Sequence, residues 1–300
     1  MPETGSNQPG DDVDDAVIER IIEPDSKDLG GFSVRRVLPS RVHKMVGPFI
    51  FFDHLGPAEF PPGEGIQVRP HPHIGLSTVT YLFEGEIIHR DSLGYQQAIQ
   101  AEAVNLMTAG RGIVHSERAG EDLERVSRLH GIQSWMALPR DLQECDPDFR
   151  HYPSGELPQV EQDGVAIRVI LGEFSGHVSP VTQYAPTLYL ECRMPGGTAL
   201  SLPRDYDEIA IYVVSGELQI GGRLVGATRM AVLAPAQSVQ LQASCDCHLM
   251  VIGGASFGER HIWWNLVSSS RQRIEQAKQD WRDNRFDPIP GETEFIPLPE

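Results

Sequence analysis

Short apolar runs alternate with turns along most of the chain, and the alternation has the period of strands. Between Gln67 and Leu138 such runs fall at 77–83, 86–90, 96–101, 103–107, 114–118 and 131–138, alternating with turn signals. Two more precede them, at 30–41 and 45–52, while the Pro- and Gly-rich stretch 55–65 predicts a loop. The pattern resumes at 165–171, 187–192, 208–214, 217–220, 230–233, 238–243 and 248–252. Regularly spaced short strands without a helical period predict an all-β sandwich or barrel. Past Gly254 the period changes. Ser269 and Gln272 resemble a capping box, and Ile274, Ala277, Lys278 and Trp281 share one helical face, which predicts one amphipathic helix over 270–285 lying on a barrel. The closing DPIPGETEFIPLPE predicts an extended tail.

The strand pattern occurs twice. Tyr81-Leu-Phe-Glu-Gly85-Glu matches Tyr212-Val-Val-Ser-Gly216-Glu, and a meander of similar length follows each. Two tandem β-barrels are therefore expected. An acidic flexible start occupies 1–28, with a short strand at 16–22; the first barrel takes 29–145 and a polar, proline-bearing linker 146–164. The second barrel takes 165–258, and the helix and tail 259–300. Residues 1–28 hold nine acids against two bases, which favours disorder.

A formal net charge of −17 argues against direct contact with a phosphate backbone, which needs clustered Lys and Arg. No apolar run is long enough to span a membrane, and the N-terminus lacks the apolar centre of a secretion signal. Four cysteines (Cys145, Cys192, Cys245, Cys247) do not make a disulfide framework, so a reduced cytoplasmic protein is expected, or a nuclear one in a eukaryote.

The chemistry sits between Arg69 and Glu117, in RPHPHIGLSTVTYLFEGEIIHRDSLG and MTAGRGIVHSER. His71 and His73 are spaced i, i+2, as are His115 and Glu117, so in extended backbone each pair projects from one face. Either pair alone is common on an exposed strand. Together, at the margins of two strands joined by a meander, they place three imidazoles and a carboxylate in reach of one cavity, a donor set that suits divalent iron, manganese, nickel, copper, cobalt or zinc. Pro72 removes a ladder donor and fits an edge, a bulge or a strand start. His54, Arg69 and Gln133 lie near the motifs and are candidates to orient the ligands. Phe51, Phe52 and Phe83 are candidates for apolar lining, against ordinary core packing.

These segments resemble the cupin superfamily, with a His-x-His before a strand and glycine turn and a third His after a second turn. More narrowly they resemble the pirin family, and VRRVLPSR, GPFIFFDHLGP and GIQSWMALP agree. The resemblance runs from about Gly31 to about Gly254 and is strongest before Pro139. General cupins carry a Glu shortly after the second His, where this chain has Thr78; here, as in pirins, the acid is Glu117. The resemblance implies a bicupin fold and His71, His73, His115 and Glu117 as ligands to one metal, Fe(II) foremost, with Glu117 also the catalytic base. Aligning the repeats puts Leu202, Arg204, Leu241 and Ala243 at the ligand positions of the second barrel, which would hold no metal. It further implies quercetin 2,3-dioxygenase activity on a flavonol and O₂, with loss of carbon monoxide. The alternative it implies is a non-catalytic, iron-redox-responsive regulator acting through a protein partner. Ligands alone also leave an isomerase or storage role open.

Overall fold

The computed structural model describes residues 17–28, 32–120, 123–202, 205–235 and 238–299. The start of the acidic segment and Arg204 lie outside the described residues. The chain opens with β1 (Ile18–Ile22) and β2 (Asp25–Asp28), then β3 (Ser33–Leu38), β4 (Phe49–Phe60), β5 (Gln67–His73) and β6 (Leu76–Glu84). Next come β7 (Glu86–Asp91), β8 (Gln96–Gln100), β9 (Val104–Thr108), β10 (Ile113–Ala119) and β11 (Ser127–Ala137). It crosses to the second half through β12 (Asp148–Tyr152), β13 (Gln159–Gln162) and β14 (Val165–Leu171), then the small hairpin β15 (Glu173–Phe174) and β16 (His177–Val178). The second half continues with β17 (Thr187–Met194), β18 (Ala199–Leu202), β19 (Glu208–Ser215), β20 (Glu217–Ile220) and β21 (Arg223–Gly226). It ends with β22 (Met230–Leu233), β23 (Val239–Ala243), β24 (Cys247–Gly254), the hairpin β25 (His261–Trp263) and β26 (Leu266–Ser268), and helix α1 (Arg271–Arg282).

Each half builds the same two sheets, as the internal repeat requires. In the first, a seven-stranded sheet ordered β12-β9-β6-β11-β4-β3-β2 accompanies a four-stranded sheet ordered β5-β10-β7-β8. In the second, β1-β22-β19-β24-β17-β14-β13 accompanies β18-β23-β20-β21. This is an all-β bicupin with one short helix among the described residues. The repeated Gly85 and Gly216 leave equivalent strands at φ 96° and 86°, where a Cβ would strike the carbonyl oxygens of Arg128 and Asp246 at 2.1 and 2.4 Å.

The two seven-stranded sheets pack on each other. Phe49, Phe52, Val79, Tyr81 and Ile132 of the first share one core with Tyr189, Tyr212, Met250 and Ile252 of the second. Strand alternation decides who joins it. On β4, Phe51, Asp53 and Leu55 face the interior of the first barrel, and Phe52 and His54 face the second barrel. His54 is therefore no ligand-orienting residue: its Nδ1 pairs with Tyr212 Oη at 2.8 Å and its Nε2 with His130 Nε2 at 2.8 Å. Phe52 and Phe83 likewise belong to the contact between barrels, Phe83 against His130 and His248. Nearby, Glu191 accepts from Tyr81 Oη at 2.5 Å and pairs with His248 Nε2 at 2.8 Å.

The interior of the second barrel is filled by Leu200, Leu202, Leu241 and Ala243 within one apolar cluster. Its register pairs Leu200 with Leu241, so Leu200 and Leu202 stand where His71 and His73 stand in the first barrel, a shift of two residues from the repeat alignment.

Other expectations need correction. Residues 17–28 are not a free acidic start: β1 pairs with β22 of the second barrel and β2 with β3 of the first. Strand β4 runs on to Phe60 through the expected loop, with Gly56 and Pro57 beside a register shift between Leu129 and Gly131. The stretch 146–164 holds β12 and β13, edge strands of the two large sheets, whose half-polar faces hide the strand period. Ser270, not Ser269, caps α1, accepting from the Arg273 amide. The four cysteines are free, and no described helix is long and apolar enough to cross a membrane.

Burial, followed by the charges of His130 and Arg35, lowers the His54 imidazole to about 3. Its unfolded value is near 6.5, so the neutral ring supports the fold fully above that pH, and the support is lost as pH falls toward 3. Unfolding by urea at pH 7.5 and pH 5 should show His54 alone contributing about 2 kcal/mol of the loss. A His54→Leu chain should show a correspondingly shallower pH dependence; an unchanged slope would refute this assignment.

Candidate metal centre

Register brings the sequence pairs together. Strand β5 is the edge of the four-stranded sheet, which accommodates Pro72 opposite Val114. On its partner β10, His115 lies opposite His71, and a bulge separates that pair from Glu117 opposite Val68. On the other side of β10, Asp91 of β7 lies opposite His115 and His89 opposite Glu117. Alternation turns this set toward the barrel interior.

His71, His73 and His115 are buried, and each offers a nitrogen within 4.8 Å of the others, a group that could hold a metal ion. Their partners orient them. His71 Nδ1 lies 2.9 Å from the Arg69 carbonyl oxygen and His73 Nδ1 lies 3.0 Å from that of Asn265, so each Nδ1–H donates and each Nε2 keeps its lone pair. His115 Nδ1 lies 3.4 Å from His89 Nδ1, and His89 Nε2 lies 2.9 Å from Asp91 Oδ2. The Asp91 carboxylate takes the His89 Nε2–H, so His89 Nδ1 accepts from His115 Nδ1–H. By this chain His115 Nε2 also carries a lone pair, and the nitrogen lies 3.0 Å from His73 Nε2. Two lone pairs that face each other at this distance repel unless a cation lies between them.

Burial lowers all three imidazoles, His71 to about 4 and His73 and His115 well below the ordinary value, so they stay neutral as metal ligands must. Glu117 lines the same cavity, outside the cluster of atoms within 4.8 Å. Burial pushes its carboxyl up to about 7, with no described cation beside it to offset the cost. Gln133 Nε2 donates to its Oε1 at 3.2 Å, while Gln133 Oε1 is buried without a partner. Three neutral imidazoles with a costly acid at their side fit a divalent transition metal.

The cavity measures about 340 Å³, within the size range of small-molecule sites. Phe51 and Trp135 form one wall, stacked at 3.8 Å and 9°. Arg36 lies 4.4 Å over Phe51 and makes a bidentate pair with buried Asp53 at 2.9 and 2.7 Å. Trp264, Asn265 and Ile296 complete the lining from beyond the second barrel, where the chain returns over the first.

Of the orienting residues expected from the sequence, Gln133 reaches Glu117, Arg69 serves through its backbone alone, and His54 is elsewhere. His89 and Asp91 go unnoticed in the sequence, although they form a third i, i+2 pair in the same meander. His89 stacks on Phe149 at 4.3 Å and 13°, and Asp91 Oδ1 accepts from the amides of Leu93 and Tyr95 at 2.9 and 3.1 Å. No local signal marks Asn265.

Comparison with known proteins places the chain among its relatives. The Pirin family model matches residues 31–136, and the model described as the Pirin C-terminal cupin domain matches 189–287. A pirin-like protein of Caulobacter vibrioides is 48% identical over 95% of this chain and 100% of its own length. Rat pirin is 32% identical over 84% of this chain and 87% of its own. The crystal structure of quercetin 2,3-dioxygenase from Acinetobacter baumannii superposes with a TM-score of 0.87 at 34% identity, covering 94% of this chain and 95% of that one.

If the Asp91–His89 pair fixes the His115 tautomer, His89→Ala should weaken divalent metal binding by about 10–100-fold in competition titrations. His54→Ala, on the opposite face of its strand, should leave the affinity unchanged. Equal affinities in all three proteins would remove the orienting role.

Proposed function

The chain belongs to the pirin family of the cupin superfamily, and from that premise we propose that it is a mononuclear non-haem Fe(II) dioxygenase acting on quercetin-type flavonols. The observation that carries the reading is the convergence of three imidazole lone pairs on one point of an aromatic-walled cavity. The Acinetobacter baumannii structure, named as a quercetin 2,3-dioxygenase, supports the substrate class.

His71, His73, His115 and Glu117 would hold the ion. Bound there, Fe(II) would supply Lewis acidity toward the flavonol 3-hydroxyl and the redox chemistry that brings in O₂. The chain's own groups do the rest. The flat Phe51–Trp135 wall accepts a planar aromatic ring, and the apolar lining keeps water from the reacting carbons. Glu117, buried beside the three imidazoles, takes the 3-hydroxyl proton on a carboxylate oxygen, and Gln133 holds that carboxylate in place through Nε2. The heterocycle then opens, with one carbon monoxide released for each O₂ consumed. Arg36, tied to Asp53, fixes a cation at the rim of the wall where a phenolate oxygen can pair with it.

Protein loaded with one equivalent of Fe(II) should consume O₂ and release carbon monoxide one for one with quercetin. His115→Ala should abolish turnover together with metal binding. Glu117→Gln, brought to the same one equivalent of bound Fe(II), should lower kcat by about 10²–10⁴-fold. No turnover by fully loaded protein would overturn the dioxygenase reading in favour of a regulator whose partner affinity follows the iron redox state.

A further inference from the structure

The C-terminal tail crosses the metal-bearing sheet at its ligand strands. Glu292 accepts from Ser116 Oγ at 2.6 Å, pairs with Arg118, and lies 3.6 Å from Arg90; Glu294 also reaches Arg118 at 3.3 Å. Ser116 stands between His115 and Glu117, and its alternation turns it to the outer face of the sheet. Beyond this anchor the tail rounds the free edge of β5. The Ile296 amide donates to the carbonyl of Pro70, next to His71, at 2.8 Å. The Ile296 carbonyl in turn accepts from Trp281 Nε1 of α1 at 3.0 Å. Held on both sides, Ile296 presents its side chain to the metal cavity. Trp264 lines the same cavity from the two-residue turn joining β25 and β26, at φ 52°, a backbone region that bulky side chains avoid.

We propose that the tail segment 292–296 is a strap across the mouth of the metal cavity, and that Ile296 is a specificity-determining residue that limits which aromatic ligands reach the centre. Trp264, fixed in its turn, is the rigid side of the opening, and Ile296, on a tail held by ion pairs and hydrogen bonds, is the adjustable side. The proposal rests on the preceding reading only in taking the entering ligand to be a flavonol. The strap itself requires no more than a metal behind it.

The test uses the full chain loaded with Fe(II), the variants Ile296→Ala and Ile296→Trp, and a chain ending at Gly291, which keeps buried Ile289. The rate at which excess phenanthroline captures the iron should rise about tenfold in Ile296→Ala, fall about tenfold in Ile296→Trp, and be fastest in the shortened chain. Equilibrium iron affinity should be the same for the two Ile296 variants and the unaltered chain, which separates closing the mouth from disturbing the ligands. Quercetin should bind Ile296→Trp about tenfold more weakly than the unaltered protein. Equal capture rates, or both substitutions shifting the rate the same way, would overturn the strap. If quercetin binds none of the proteins while the capture rates order as stated, the strap stands and the flavonol reading falls.

Discussion

The site depends on how three buried imidazoles are held by their far nitrogens. His71 and His73 each donate Nδ1–H to a backbone carbonyl, and His115 donates into the His89–Asp91 pair. Each donation leaves an Nε2 lone pair facing the others across a space where neutral nitrogens repel and a cation attracts. Burial supports the same outcome, because it keeps the rings neutral and raises the cost of the Glu117 charge. Without those partners the rings would be free to rotate or to pair with one another, and the cavity would be an ordinary histidine-lined pocket.

The rest of the fold holds these partners in place. The bulge between His115 and Glu117 changes the β5–β10 register beside the ligands, and the edge position of β5 tolerates Pro72. The second barrel repeats the architecture with leucines inside, and its seven-stranded sheet buries the back of the sheet that carries Phe51, Gln133 and Trp135. The chain then returns to the first barrel. Helix α1 packs Ile274 and Ala277 against Ile74 and Leu266, and the preceding turn delivers the Asn265 carbonyl to His73. The first barrel thus carries the ligands, and the segment after the second finishes their support.

Much of this was legible in the sequence, for definite reasons. The two i, i+2 pairs and the repeated Tyr-to-Gly strand ends depend only on strand period and turn chemistry, which tertiary context rarely overrides. His54, Phe52 and Phe83 were less legible because nearness to a motif says nothing about which face of a strand a side chain takes. His89 and Asp91 carried the same spacing as the ligand pairs, yet a His-x-Asp on a strand resembles many solvated ones until the register sets it beside His115. Asn265 and Ile296 lie at the other end of the chain from the site they complete, and only the folded path brings them back. The polar edge strands in 146–164 read as linker because edge strands expose both faces in part.

The claim that most needs direct measurement is the tautomer of the three ligands. Nitrogen NMR of the imidazoles in protein loaded with one equivalent of Zn(II), a diamagnetic stand-in, reports which ring nitrogen binds the ion and which keeps its proton. The account predicts metal on Nε2 and hydrogen on Nδ1 for His71, His73 and His115 alike. Metal on Nδ1 of any of them, or an unshifted spectrum with the metal bound elsewhere, would contradict it.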